Sequence, residues 1–449
     1  TAFFSTYDSQ PKQQLAQYQY DSLGRLRNKI IKPKPTNITR TTTPPSNTQD
    51  IAREYVLLLP NVSITPTTGQ SYLAGIVAGV GLQQIQYHYH IRDYLKGINL
   101  DAGGNASLAG GQLFAMKLDY EADGTYYDGN IRKQTWITSP LVPNGGTRSY
   151  TYSYDLASRL TSAAYTGVGS ENYSLETVSY DKNGNLQQLW RKGKTGSGTY
   201  DYVDQLSYTY QSATSNRISE VTDAIANAND VEMFKDVSGT DYTYWENGAL
   251  KSDNNKGILQ IQYNHLELTK RIEFSSKWID YHYDGAGNKL RKITSEGVKT
   301  DYVGAAVYQN DTLYQIAHDE GRYSKLGIEY SYTDHLGNVR LMFMDSSGAA
   351  AITQTENFGA WGESLKSLNY NRSATGKQQF VFTGHERDED LGVFDAKARM
   401  YDPLVPRFWS IDPLASAVLS MTPYRYGFNN PVNVTDPTGM LEYDDKKPE

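Results

Sequence analysis

The amino-acid sequence predicts an all-β chain, on three observations. A unit of the form Tyr-x-Tyr-Asp-x-x-Gly-x-x-Leu recurs in imperfect copies along the 449 residues. No stretch sustains the i, i+3, i+4, i+7 apolar spacing of a helix over three or more turns. The aromatic content is also lopsided: 37 Tyr stand beside 12 Phe and 7 Met in a chain whose mean hydropathy is -0.61. Tyrosine buries a large ring while keeping a hydroxyl for water or a neighbour, which suits a thin single sheet with both faces partly wet.

Each copy of the unit reads as a β-hairpin. Tyr residues at i and i+2 share one face of a strand. The Asp that follows can accept backbone N–H bonds in a tight turn, and the Gly takes the positive-φ position that a side chain resists. The Leu or Val after it opens the return strand.

Along the chain, Thr1 is not an initiator Met and no leader pattern follows it, as expected of a processed piece of a longer protein. YQYDSLGRL (residues 18–26) is the cleanest hairpin. Residues 32–50, KPKPTNITRTTTPPSNTQD, are rich in Pro and Thr and read as an exposed linker or long loop. YLAGIVAGVGL (72–82) is Gly-rich and far short of the roughly 20 apolar residues that span a bilayer, so it reads as buried strand rather than a membrane span. In YHYHIRDYLKGIN (87–99), His88 and His90 share one strand face without a third ligand, which makes a metal site a minor reading. Residues 99–111, rich in Gly, Asn and Ala, read as a loop. Further hairpins follow as YSYDLASRL (152–160), VSYDKNGNL (178–186), YTYWENGAL (242–250) and YHYDGAGNKL (281–290), with an expanded version, YSYTDHLGNVRL, at 330–341. Their uneven spacing disfavours a propeller of identical blades and suits a winding sheet.

Composition removes several function classes. No Cys is present, so disulfides, thiolate catalysis and Cys-ligated zinc or iron-sulfur sites are absent. With 43 basic against 50 acidic residues, a net charge of -7, there is no surplus for tracking a phosphate backbone, and nucleic acid is not expected as a ligand. The acidic triplet Asp388, Glu389 and Asp390 reads as a solvated turn rather than a cation site.

Three strings near the C-terminus are more specific: YTDHLGNVRL (332–341), FTGHERDEDLGVFDAKARMYDPLVPRFWSIDPLA (382–415) and YRYGFNNPVNVTDPTGM (424–440). Together they resemble the Rhs repeat-associated core domain, and with the Tyr-Asp units the resemblance to Rhs/YD-repeat proteins runs over about residues 18–440. It implies a hollow shell, a cocoon of spiralling antiparallel β-hairpins over residues 1–327, closed by a core-domain plug over 328–440. Residues 441–449 are then the remnant of, or junction to, a variable C-terminal region. The implied partners are the protein's own C-terminal toxin as cargo, a secretion machinery and an immunity or chaperone protein. The implied location is outside a bacterium or on its surface, and no cofactor or metal is called for. His335 and His385 fall in core-domain strings and read as hydrogen-bonding plug residues.

The resemblance also implies self-cleavage by an aspartic pair. Asp412, in Ile411-Asp412-Pro413-Leu414-Ala415, and Asp436, in Asp436-Pro437-Thr438-Gly439-Met440, match the family's paired Asp-Pro motifs. Two adjacent carboxylates cannot both ionise cheaply, so one keeps a proton as acid and the other activates water. Arg407, five residues before Asp412, is the expected partner that holds one carboxylate ionised, with a wall salt bridge as its alternative. Gly439 lets the backbone approach closely, and Met440-Leu441 is the expected scissile bond. Ala415 stands where many family members have Gly. Both Asp-Pro pairs could instead simply cap turns. The competing readings are a cell-surface YD-repeat adhesion or recognition protein without cargo and, less favoured, a carbohydrate-processing β-protein.

Overall fold

The computed structural model describes residues 2–5, 13–33, 37–40, 49–52, 55–58, 73–76, 81–121, 127–225, 234–373, 376–440 and 442–444. Among these residues the regular structure is β-strand with three single turns of 3₁₀-helix, and no helix is long and apolar enough to cross a membrane.

The hairpin chemistry is visible atom by atom. In the first clean unit, Asp21 Oδ1 accepts the backbone N–H groups of Leu23 and Arg25, and Gly24 sits at φ 80°. Asp155 repeats this with Ala157 and Arg159, Asp181 with Asn183 and Asn185, and Asp284 with Ala286 and Asn288. The second Tyr of one hairpin then donates its hydroxyl to a carbonyl at the start of the preceding hairpin's return strand. Tyr89 bonds Leu26 O at 2.8 Å, Tyr180 bonds Leu160 O at 2.6 Å and Tyr210 bonds Leu186 O at 2.8 Å. Tyr120, Tyr154, Tyr263 and Tyr283 make the same bond to Leu95, Ile131, Leu250 and Thr269. These rungs explain why the sequence uses Tyr where Phe would fill the same volume.

Stacked hairpins give two long antiparallel meanders. A thirteen-stranded sheet runs from Ala2–Ser5 to Ile218–Asp223 in chain order, except that Leu26–Pro33 pairs with Gly81–Tyr89 and passes over residues 34–80. A twelve-stranded sheet follows from Gln260–Tyr263 to Tyr370–Asn371, and five short strands from Phe380–Phe382 to Arg407–Phe408 complete the main architecture. Within the stretch passed over, Asn37–Arg40 pairs parallel with Tyr55–Leu58, and Gln49–Ala52 with Leu73–Ile76. The expected linker at 32–50 therefore contains short strands, and the remainder of that stretch lies outside the described residues. Of residues 72–82, positions 73–76 and 81–82 are strand and the others lie outside the described residues.

The wall curls back on itself as an all-β shell. Tyr18 donates to Glu320, Lys32 pairs with Asp345, and Tyr332 donates to Gln83 at 2.8 Å, so late strands lie against the first ones. One hydrophobic cluster runs from Leu15 to Val432. It corrects the expectation of two wet faces. Along Gly146–Tyr154, Tyr150 and Tyr152 are buried while Thr151 between them is exposed, so one face is dry. The Leu after the turn is also buried at Leu160, Leu186, Leu250 and Leu341, whereas Leu290 is exposed.

The C-terminal segment lies over the turn ends of this ribbon. Thr422 N donates to Asn183 O at 2.7 Å, Asn429 Nδ2 to Gly184 O at 2.8 Å, and Tyr424 Oη to Gly248 O at 2.7 Å. A Cβ on Gly248 would meet Ile411 Cδ1 at 2.4 Å, so this turn glycine also makes room for the covering segment.

Candidate active site

Arg399 is the centre around which the two Asp-Pro turns assemble. It leaves a tight turn in which Lys397 has φ 68° and Ala398 N donates to Thr438 O at 3.2 Å, stitching this loop to the second motif. Its Nε donates to Gly439 O and its Nη1 to Pro423 O at 3.1 Å. Its Nη2 lies 3.1 Å from Asp412 Oδ2 and 3.0 Å from Asp436 Oδ2, and the guanidinium carbon sits 3.7 Å from the centre of the Phe408 ring. The three side chains are almost wholly removed from solvent, at 1%, 2% and 0% exposed.

Each aspartate also organises its own turn. Asp412 Oδ1 accepts Leu414 N at 2.7 Å, and Asp436 Oδ1 accepts Met440 N at 2.9 Å. Turn capping and a shared cation are therefore both built in. One guanidinium neutralises one carboxylate, and a second buried carboxylate is less costly with a proton than as an uncompensated charge. Consistent with this, burial pushes the Asp436 carboxyl above its ordinary range, against the pull of Arg399 and with the push of Asp412. Burial also lowers the Arg399 pKa, an effect the two aspartates oppose.

Gly439 has φ 70°, and a Cβ there would meet Ala396 O at 2.6 Å and Arg399 N at 3.0 Å. The glycine is required by the approach of Arg399's own loop. Met440 is partly exposed; Leu441 lies outside the described residues. Ala415 opens a 3₁₀ turn and is not among the positive-φ residues, so that position has no need of glycine.

Arg407 does not touch either carboxylate. Its Nη2 donates to Asn216 O at 3.0 Å and its guanidinium lies 4.2 Å from the centre of the Tyr424 ring. The reason is strand alternation: Phe408 packs under Arg399, so its neighbour Arg407 points to the other face. The cation expected at position 407 is thus Arg399, a residue the sequence reading passed over. Its available signal was a lone cation among apolar neighbours in Ala398-Arg399-Met400-Tyr401, next to a short strand.

The histidines take separate places. His385 Nε2 donates to Asp436 O at 3.0 Å from a fully buried position, and burial lowers its pKa to about 4, so it is neutral. His335 Nε2 donates to Val432 O at 2.9 Å. His88 lies in the strand Gly81–Tyr89, whereas His90 follows it and accepts Arg92 N on Nδ1. The acidic triplet faces a cation of the chain itself: Lys292 Nζ lies 2.8 Å from Asp388 and 3.3 Å from Asp390.

No family model matches the chain. The chain is 24% identical over 305 residues to salivary gland surface protein 1 of Aedes aegypti, covering 61% of this chain and 8% of that protein. It is 25% identical over 371 residues to the tRNA3(Ser)-specific nuclease WapA of Bacillus spizizenii, covering 73% and 15%. Its fold matches a chain in a structure of the Photorhabdus luminescens Tc holotoxin pore with a mutated TccC3, at TM-score 0.65 and 17% identity, over 98% of this chain and 20% of that one. The chain therefore spans a small part of the proteins it resembles, and the structural match is one of fold.

Proposed function

We propose that this chain is the closing arc of an Rhs-type YD-repeat toxin shell. In this reading the shell encloses a C-terminal toxin and separates from it by aspartic-type hydrolysis of the Met440–Leu441 peptide. The observation that carries the chemistry is the pair of buried carboxylates on one Arg399 nitrogen, with Asp436 also holding Met440 N. The fold shared with a chain of a Tc holotoxin and the sequence similarity to a tRNA-specific nuclease support the shell half.

The reaction runs on this chain's own groups. Asp436, whose carboxyl is pushed upward by burial, donates its proton toward the Met440 carbonyl oxygen while Asp412 takes a proton from water. The water oxygen bonds the carbonyl carbon; as the resulting diol collapses the C–N bond breaks, Asp412 passes its proton to the leaving nitrogen of Leu441, and Asp436 takes back the proton it lent to the carbonyl oxygen. A carboxyl terminus at Met440 and an amine at Leu441 result. Arg399 supplies the fixed positive charge beside the developing oxyanion.

The implied partners are the toxin cargo, the machinery that exports the shell and an immunity or chaperone protein, and the implied location is outside the producing bacterium. The second reading, a cell-surface recognition protein without cargo, draws on the similarity to an insect surface protein. The two part at one measurement. In a version of the chain extended further beyond Met440, Asp436→Asn should leave it uncut on a denaturing gel while the parent yields a product ending at Met440. Normal processing of this variant sinks the aspartic mechanism.

A further inference from the structure

Downstream of the expected cut, Glu442 enters a site built for it. Its Oε2 accepts Arg425 Nη2 at 2.7 Å and Nε at 3.1 Å, and its Oε1 accepts Phe428 N at 3.0 Å. Both side chains of the ion pair are nearly inaccessible, at 3% and 2% exposed. Arg425 is fixed from behind: its guanidinium lies 5.0 Å from the centre of the Phe428 ring and Nη1 donates to Thr422 O, while Thr422 N is bonded to the hairpin turn at Asn183. The backbone is contorted to present these donors. Gly427, Phe428 and Asn429 have φ 54°, 52° and 60°, a left-handed run that an aromatic residue rarely adopts. A Cβ on Gly427 would meet Val434 O at 2.7 Å. Immediately beyond, Tyr443–Asp444 pairs antiparallel with Val434–Thr435, the strand that leads into Asp436.

A buried ion pair is a poor way to gain stability, because well-packed apolar residues of similar volume do as well or better. Its strength is geometric. A bidentate fork and a directed N–H fix one residue in one place. Met440 N is tied to Asp436 and Glu442 is tied to Arg425, one fixed point on each side of the expected bond. The downstream chain also lies as an added strand, the manner in which extended peptides are held by sheet edges.

We propose that Arg425 and Glu442 form a register clamp, with Glu442 as a positioning residue that sets which peptide bond lies across the Asp412/Asp436 pair. The clamp rests on the self-cleavage reading above and adds the determinant of where the cut falls. It works by selecting an acidic side chain two residues after the bond, and Arg425 is the group that reads it.

The 449-residue chain is its own assay, because the cut releases residues 441–449 as a peptide whose mass reports the bond broken. Glu442→Gln and Arg425→Met should each slow release by about tenfold to a hundredfold, the range expected for a misplaced reacting bond. They should also spread the products over neighbouring bonds. Thermal unfolding of every variant separates loss of register from loss of fold. Parental rate and a single product in Glu442→Gln, with Asp436→Asn inactive, overturn the clamp and leave the aspartic pair standing. No release from the parent overturns both.

Discussion

Arg399 carries more of the candidate site than either aspartate does, since it touches both of them, Gly439 and Pro423. Replacing it by Met leaves two buried carboxylates without a cation, a change that costs about 3–5 kcal/mol. We expect a lower unfolding midpoint and no product ending at Met440, read by calorimetry and mass spectrometry. The pH dependence of the cut follows from Asp436. Its folded pKa is raised, so the required proton is present below that value and lost as pH rises through it, and the rate should fall on that side. A rate that climbs over the same range contradicts Asp436 as the proton donor. At this scale the sequence made Asp412 and Asp436 legible, because a fixed Asp-Pro motif names its own residues. Arg399 was not legible. Nearness in sequence favoured Arg407, but in a hairpin the side chain that meets a neighbour is chosen by strand face, and 407 has the wrong one.

The hairpin was the most legible element, since Asp, Gly and Leu each do one job in it and recur at similar offsets in most copies. What the sequence concealed was the partner of the second tyrosine. The acceptor is a backbone carbonyl of the previous hairpin, and every residue has one, so no residue type marks it. Tyr180→Phe removes the donor to Leu160 O and keeps the ring, so we expect a loss of about 1 kcal/mol, measurable by denaturant unfolding. Leu186→Ala, at a residue 5% exposed in the dry face, should cost about 2–5 kcal/mol instead. If the two variants cost the same, the separation of rung from core is wrong. The long stretch at residues 34–80 was hard to read for a different reason: its short strands pair parallel and outside the main ribbon, with no Tyr-Asp signature to mark them.

For the molecule as a whole, the covering C-terminal segment makes stability depend on pH through His385. This residue is fully buried beneath Asp436, with a folded pKa of about 4 against about 6.5 when unfolded. A depressed folded pKa contributes stability that is present above the unfolded value and lost as pH falls through the folded one, here on the order of 3 kcal/mol. His385→Gln should flatten this component of the stability curve between those two values, and an unchanged slope in the variant relative to the parent would rule it out. The curling of the wall was legible only through the family resemblance. The contacts that close it, such as Trp136 with Asn357, join residues too far apart for any local pattern to pair them.

The tyrosine rungs have a consequence for how such a chain changes length. A hairpin joined by these rungs on both sides carries both halves of the connection, a hydroxyl for the hairpin before it and a carbonyl for the one after it. A tandem duplication of one hairpin would bring its own donor and acceptor, and the ribbon would accept the extra module without a compensating change elsewhere. The length of the sheet can therefore grow or shrink by whole hairpins.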